Sequence, residues 1–172
     1  MEIEEIFQDK SIKLKGKVAI LGAGLLDNAL SLQLLLEYAD TQNAVDKATC
    51  IEAIEYATKR VPTIANGILW SYVTVALKDN EPRVKWESAK TIGNIVKLFP
   101  DELDQTVANL LKNTRDSGTV VRWATAYALA EIIKLKTNQN DFLIPEVELL
   151  CELEEDNGVK KKYQDALKKI KK

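Results

Sequence analysis

The chain has no histidine, only two cysteines and few aromatic residues. Without histidine, every mechanism that uses imidazole as a base, nucleophile or metal ligand is excluded. Cys50 and Cys151 are too far apart for a Cys-x-x-Cys zinc site, and two cysteines form no disulfide framework. We therefore expect a reduced, cytoplasmic setting. No apolar run approaches the roughly 18 residues of a membrane span, and the acidic start gives no indication of a signal peptide.

Glycine and proline are also scarce, with 7 and 4 residues, which excludes collagen-like and low-complexity classes. The net charge of −2 gives no global basic field that would attract nucleic acid or an acidic membrane. What the chain does contain is 172 residues, of which 46% are hydrophobic. This is enough for one domain with a substantial core, and we expect a single domain over 1–172.

One pattern recurs along the chain: an Asp, four turn-prone positions, Val, a basic residue, Trp and, three positions later, Ala. The clearest copies begin at Asp79 and Asp116, and weaker copies begin at Asp40 and Asp156. The intervals between them are 39, 37 and 40 residues. Self-similarity at such a period is typical of helical-repeat proteins.

Helical periodicity precedes and follows each Asp. The preceding runs cover 25–39, 64–78, 103–114 and 143–155, and the following runs cover 44–58, 83–98, 120–136 and 159–170. These runs predict four helical hairpins, at about 23–60, 61–99, 100–137 and 141–172. Residues 1–22 are expected to cap the N-terminal end with a helix at about 12–21, after a shorter helical piece at 2–7. Pro62, Pro82, Pro100 and Pro145 are expected at or near helix starts, where a missing N–H is tolerated.

The two middle copies resemble the second half of a HEAT repeat. The matching residues are Asp79, Val84, Lys85, Ala89, Ile92 and Gly93 in one copy and Asp116, Val121, Arg122, Ala126, Leu129 and Ala130 in the other. The resemblance covers about residues 25–170. It implies an all-α, right-handed α-solenoid of about four HEAT-like hairpins plus an N-terminal helix, with the second helices lining a concave face. The end copies depart from the pattern, since Asp46 stands at the basic position of the first and Lys161 at the Val position of the last.

On this implied concave face, one repeat position holds Trp86, Trp123 and Tyr163. Tyr127 and three basic residues share the face; the basic residues are Lys90, Lys97 and Lys134. Aromatic residues dominate binding hot spots, so this stripe is a candidate site for a protein or peptide partner. The alternative is that each Trp packs against the second helix of the next repeat, and its exposure distinguishes the two.

Basic residues outside this stripe have two interpretations each. Lys85 and Arg122 form either an anion-binding ladder or, as we favour, structural ties to the turn Asp of their own or a neighbouring repeat. Seven lysines near the C-terminus indicate a solvated last helix, or alternatively a contact with nucleic acid or an anionic surface. They are Lys160, Lys161, Lys162, Lys168, Lys169, Lys171 and Lys172.

Three remaining features have structural explanations. The segment from Lys17 to Gly24 superficially matches a dinucleotide-binding turn, but Asp27 stands at the third glycine position and no sheet follows. We therefore predict that Gly22 caps a helix C-terminus. The acidic cluster at 152–156 is interpreted as solvated charge, and Cys50 as a small core residue.

Together these observations predict a non-enzymatic interaction module that binds a protein or peptide and needs no cofactor or metal. One alternative is a nucleic-acid-binding protein related to the HEAT-like DNA glycosylases for alkylated bases, for which Trp86, Trp123 and Arg122 are suitable residue types. Another is a HEAT-like protein related to the bilin lyases, although no residue pattern here indicates a tetrapyrrole site.

Overall fold

A computed structural model describes residues 2–170 and shows ten α-helices and no β-strand in that range. The helices are α1 (Ile3–Gln8), α2 (Leu14–Leu26), α3 (Leu32–Asp40), α4 (Ala44–Arg60), α5 (Gly67–Ala76), α6 (Pro82–Ile95), α7 (Asp104–Asn113), α8 (Thr119–Ile133), α9 (Asn140–Leu153) and α10 (Asn157–Ile170). Short 3₁₀ turns lie at Pro62–Ile64 and Val96–Leu98. The prediction of an all-α fold is confirmed. None of the helices in this range is both long and apolar enough to cross a membrane.

The helices form two layers. The even-numbered helices pack side by side in the order α2, α4, α6, α8, α10, and each odd-numbered helix packs on the even-numbered helix that follows it. Small residues such as Cys50, Ala89 and Ala126 are fully buried or nearly so within the even-numbered helices. Their size allows the helix axes to approach closely, and the prediction that Cys50 is a core residue is confirmed.

An Asp or Asn side chain shapes the turn within each helix pair. Each of these side chains accepts a hydrogen bond of 2.8–3.0 Å from the N–H group two residues later. The five residues are Asp9, Asn43, Asp79, Asp116 and Asp156. Asp40 instead ends α3, and Asn43, the N-cap residue of α4, makes the corresponding hydrogen bond.

The prediction of one helix over 25–39 is wrong. Helix α2 ends at Leu26, Asn28 adopts a left-handed φ of 57°, and α3 begins at Leu32. Asn tolerates this conformation better than most residues, so the chain can turn there without glycine. The apolar run from Val18 to Leu26 hid this boundary, because uniformly apolar residues show no periodicity.

Two further local predictions are wrong. Gly22 is not a helix cap but lies buried inside α2, where an added Cβ would overlap the ring of Tyr56. Pro145 lies inside α9 instead of near its start, since that helix begins five residues earlier at Asn140. Both residues were predicted to lie at helix ends from general residue preferences, and at these two positions the tertiary structure overrides those preferences.

The odd-numbered layer is unevenly packed. Helices α5 and α7, with the residues next to their ends, are joined by four hydrogen-bonded contacts, which we call the α5–α7 seam. They are Thr74 Oγ1 with Thr106 Oγ1 at 2.7 Å, Asn109 Nδ2 to the Thr74 carbonyl at 2.9 Å, Asn113 Nδ2 to the Leu77 carbonyl at 2.9 Å, and Trp70 Nε1 to the Glu102 carbonyl at 3.2 Å. By contrast, open cavities lie beside α5 toward α3 and between α7 and α9.

Candidate functional site on the even-numbered helices

Six of the seven predicted site residues share one surface. Trp86, Lys90 and Lys97 follow one another at the same spacing as Trp123, Tyr127 and Lys134, and all six are half-buried or exposed. Because α6 and α8 are neighbours, the two sets lie side by side. We call the surface formed by these six residues the even-helix face.

The two tryptophans are neither free of packing nor part of the core. Both rings are half-buried and rest against buried apolar residues. The Trp86 Nε1–H group donates to the Glu87 carboxylate at 2.7 Å, and Trp123 stacks on Tyr127 with 6.1 Å between ring centroids. Each ring is therefore held by the fold on one side and retains some open surface on the other.

The prediction that Tyr163 belongs to the binding stripe is wrong. Its side chain is only 1% exposed and lies in the core, where burial raises the pKa of its hydroxyl. Lys162 takes the outward position, with its Nζ 4.6 Å from the Trp123 ring centroid and 5.8 Å from that of Tyr127. In the last copy of the repeat Lys161 stands in place of Val, so its landmarks were aligned incorrectly.

The basic charges of the even-helix face are largely neutralised. Lys90 Nζ lies 3.5 Å from a carboxylate oxygen of Glu55 and 2.9 Å from one of Glu87. Burial raises the pKa of the Glu87 carboxyl, although its interactions with Lys90 oppose that effect. Lys134 pairs with Glu131, whereas Lys97 is exposed and forms no ion pair within residues 2–170.

Tyr127 connects this surface to the helix packing beneath it. Its hydroxyl donates to Asn94 Oδ1 at 2.9 Å, and burial raises its pKa to about 12. Its ring covers Gly93 so closely that an added Cβ would overlap ring atoms. Asn94 in turn donates to the Glu55 carbonyl at 3.3 Å. The sequence did not reveal Glu55, Glu87 or Asn94 as part of this network, because a single polar residue on a helix is normally predicted to face solvent.

Lys85 and Arg122 belong to a regular series of ion pairs between successive helix pairs. Lys47 binds Asp79 at 3.1 Å, Lys85 binds Asp116 at 2.8 Å, and Arg122 binds Glu154 at 3.0 Å. We call this series the ion-pair ladder. It confirms the interpretation of Lys85 as a tie to the turn Asp of the neighbouring helix pair, whereas the ion-pair partner of Arg122 is Glu154 instead of a turn Asp. It also shows that Lys47, and not Asp46, occupies the basic position of its repeat.

The ladder changes the proton affinity of its carboxyl groups. Burial would raise the pKa of Asp116, but hydrogen bonds from Lys85 and the Gly118 N–H group outweigh it and the pKa is lowered. The pKa of Glu154 is lowered in the same way, mainly by its hydrogen bond with Arg122. Glu154 is therefore an ion-pair partner, and the interpretation of the whole 152–156 cluster as solvated charge is wrong for this residue.

The lysines of α10 are mostly on its surface. Lys161, Lys168 and Lys169 are exposed, which is what a solvated last helix requires. Lys171 and Lys172, which belong to the same predicted basic segment, lie outside the described residues.

Comparison with known proteins adds no relative at this point. No family model matches the chain, and no curated protein matches it significantly.

Proposed function

We propose that this chain is a non-enzymatic protein-interaction module, a HEAT-like right-handed α-solenoid that binds a protein or peptide through its even-helix face. The observation that carries the proposal is the placement of Trp86, Trp123 and Tyr127, half-buried on neighbouring helices. Rings that are already held by packing lose little side-chain freedom on binding and contribute a large contact area.

The order of helix packing supports a solenoid. In repeat proteins each unit contacts only its neighbours. Here every even-numbered helix packs on the next one, and the ladder repeats the same type of ion pair at three successive junctions.

The charge distribution supports a protein or peptide partner over nucleic acid. A protein that binds DNA or RNA needs several cations available for phosphates. Lys90 and Lys134 are paired with carboxylates, and Arg122, which a glycosylase-like site would use, is held by Glu154.

The proposal is tested by affinity capture from native lysate with mass spectrometry, followed by binding measurements with the purified partner. Trp86→Ala/Trp123→Ala is compared with wild type and with Ile68→Ala, which alters an exposed apolar residue of α5. We expect the double variant to lose the partner and the control to retain it. Circular dichroism establishes that each variant is folded.

Equal binding by a folded double variant would contradict the proposal. If the double variant does not fold, Lys97→Glu tests the same surface. Lys97 is exposed, so we expect this substitution to leave the fold intact. We expect this charge reversal to change the affinity for the purified partner by at least threefold, and unchanged affinity would then contradict the proposal. Salt-dependent binding of duplex DNA by wild type would favour the nucleic-acid alternative.

A further inference from the structure

Helix α9 exposes an apolar stripe that no residue in 2–170 covers. Phe142, Leu149 and Leu153 are 54%, 46% and 65% exposed. Their spacing places them along one side of the helix over about 16 Å. Single exposed apolar side chains are common on soluble proteins, but a continuous stripe of large ones marks an interaction surface.

Two separate cavities lie near the ends of α7 and α9, and Leu153 of the stripe lines one of them. At the C-terminal ends of the two helices, Leu150 and Leu153 line a cavity of about 390 Å³ together with Thr114 and Arg115. At the N-terminal end of α7, a second cavity of about 440 Å³ faces the loop that precedes α9 and is lined by residues that include Asp101 and Asp104. We call this region, with the α9 stripe, the α7–α9 groove.

The charge around the groove is mainly negative. Helix α9 contains no lysine or arginine, and its four acidic residues are Asp141, Glu146, Glu148 and Glu152. Asp101 and Asp104 add further negative charge at the N-terminal end. A second copy that docked α9 against α9 would therefore bring like charges together, which is unfavourable. The complementary occupant has apolar residues with basic neighbours.

We propose that the α7–α9 groove binds a basic amphipathic helix of another protein. Apolar side chains at positions i, i+3 or i+4, and i+7 of that helix pack against Phe142, Leu149 and Leu153, as in other helix-in-groove complexes. Lysine or arginine side chains beside them face the carboxylates of α9 and Asp104, which sets the orientation and the preference for basic partners. This site lies on the odd-numbered layer and is independent of the even-helix face.

The probe for this proposal is a fluorescein-labelled peptide of about 18 residues, long enough to cover the stripe as a helix. It carries leucine at amphipathic spacing and lysine elsewhere, and binding is followed by fluorescence anisotropy with the full chain. One control peptide replaces every lysine with glutamate, and another has the same composition in an order without amphipathic spacing. We expect saturable binding of the first peptide and at least tenfold weaker binding of both controls.

Protein variants locate the site. Leu149→Glu is expected to weaken binding of the lysine peptide at least tenfold, because it places a charge at the centre of the apolar stripe. Val75→Glu, at an exposed apolar position of α5, is expected to leave the affinity within twofold. Trp86→Ala/Trp123→Ala is also expected to leave it within twofold, which separates this site from the proposed function.

Several results would overturn the proposal. These are the absence of saturable binding, equal binding of the glutamate peptide, and unchanged affinity in folded Leu149→Glu. A wild-type dimer in sedimentation velocity that Leu149→Glu converts to monomer would instead assign the groove to a second copy of the chain.

Discussion

The two flanks of α7 differ in a way that explains the shape of the odd-numbered layer. Toward α5, Asn109 and Asn113 are buried and each donates a hydrogen bond to a carbonyl group of the neighbouring chain segment. A buried amide without such partners is costly, so these residues select a closed arrangement. Toward α9, Arg115 lines an open cavity and the facing side chain of Leu153 is exposed. Close packing of the even-numbered helices therefore does not by itself close the layer above them.

The largest effect on the free energy of unfolding is expected when an aromatic ring is removed from the seam. The matched comparison is the removal of an aromatic ring at the groove. Trp70 is 3% exposed, stacks on Phe99 at 4.9 Å and donates to the Glu102 carbonyl. We expect Trp70→Ala to lower the free energy of unfolding by about 3–5 kcal/mol, as for other buried aromatic residues. Phe142→Ala at the exposed groove is expected to change it by less than about 0.5 kcal/mol. Urea unfolding measures both, and similar losses would refute the contrast between seam and groove.

A smaller loss is expected when one amide is removed from the seam. Asn109→Ala leaves the buried Thr74 carbonyl without the hydrogen bond from Asn109. We expect unfolding free energy to fall by about 1–3 kcal/mol. The matched control is Asn138→Ala, at an exposed position beside the groove, for which urea unfolding is expected to show little change. A loss in the control as large as that in Asn109→Ala would show that the seam is not specified by its buried amides.

The threonine pair gives a test of the seam that does not depend on side-chain size. Thr74→Val or Thr106→Val alone leaves one buried hydroxyl without its partner and is expected to lower unfolding free energy by about 1 kcal/mol. The double variant removes both hydroxyls, and we expect it to be less destabilised than the sum of the single variants. A double-mutant cycle with strictly additive losses would indicate that the two hydroxyls do not interact.

The smallest expected effect concerns the ion-pair ladder, which spans both the α5–α7 seam and the α7–α9 groove. Lys85–Asp116 bridges the two helix pairs that form the seam, and Arg122–Glu154 bridges those that border the groove. Both carboxyl pKa values lie below their ordinary values of 3.8 and 4.5. Their stabilising contribution is therefore fully present above about pH 4.5 and is lost as pH falls through the lowered pKa of each folded-state carboxyl.

Urea unfolding between pH 7 and pH 3 checks this expectation. Asp116→Asn and Glu154→Gln should each lose less stability on acidification than wild type, by up to about 1 kcal/mol per ion pair. The two variants should also behave alike, because the ladder does not depend on whether the layer above is closed. An acid-induced loss as steep as that of wild type in both variants would contradict the role assigned to these carboxylates.

The helices of residues 44–170 could be placed from sequence to within a few residues, apart from an earlier start to α9, because amphipathic periodicity alternates there with turn-forming Asp and Asn residues. The boundary between α2 and α3 could not be predicted from sequence, because the run around Gly22 is apolar on all sides. The turn between these helices depends on Asn28. Among the site residues, Trp86 and Trp123 are half-buried, between the exposed and packed alternatives that the sequence left open. Tyr163 was assigned incorrectly, because the outer copy is too degenerate to fix which side of α10 faces inward. The α9 stripe was missed, since exposure of an apolar residue depends on what its neighbours leave uncovered.

Each ion pair of the ladder joins a residue of one helix pair to a residue of the next. Within the ladder, the junctions therefore carry the same arrangement of one cation and one anion. Excising residues 79–115 would remove Asp79 and Lys85 together and bring Lys47 opposite Asp116, which replaces one aspartate by another. Duplicating the same segment would add one cation and one anion at matching places. A gene that encodes this chain can thus gain or lose whole units by recombination while the ladder stays paired at the new join, although excision would take Arg83 and Lys90 away from Glu52 and Glu55.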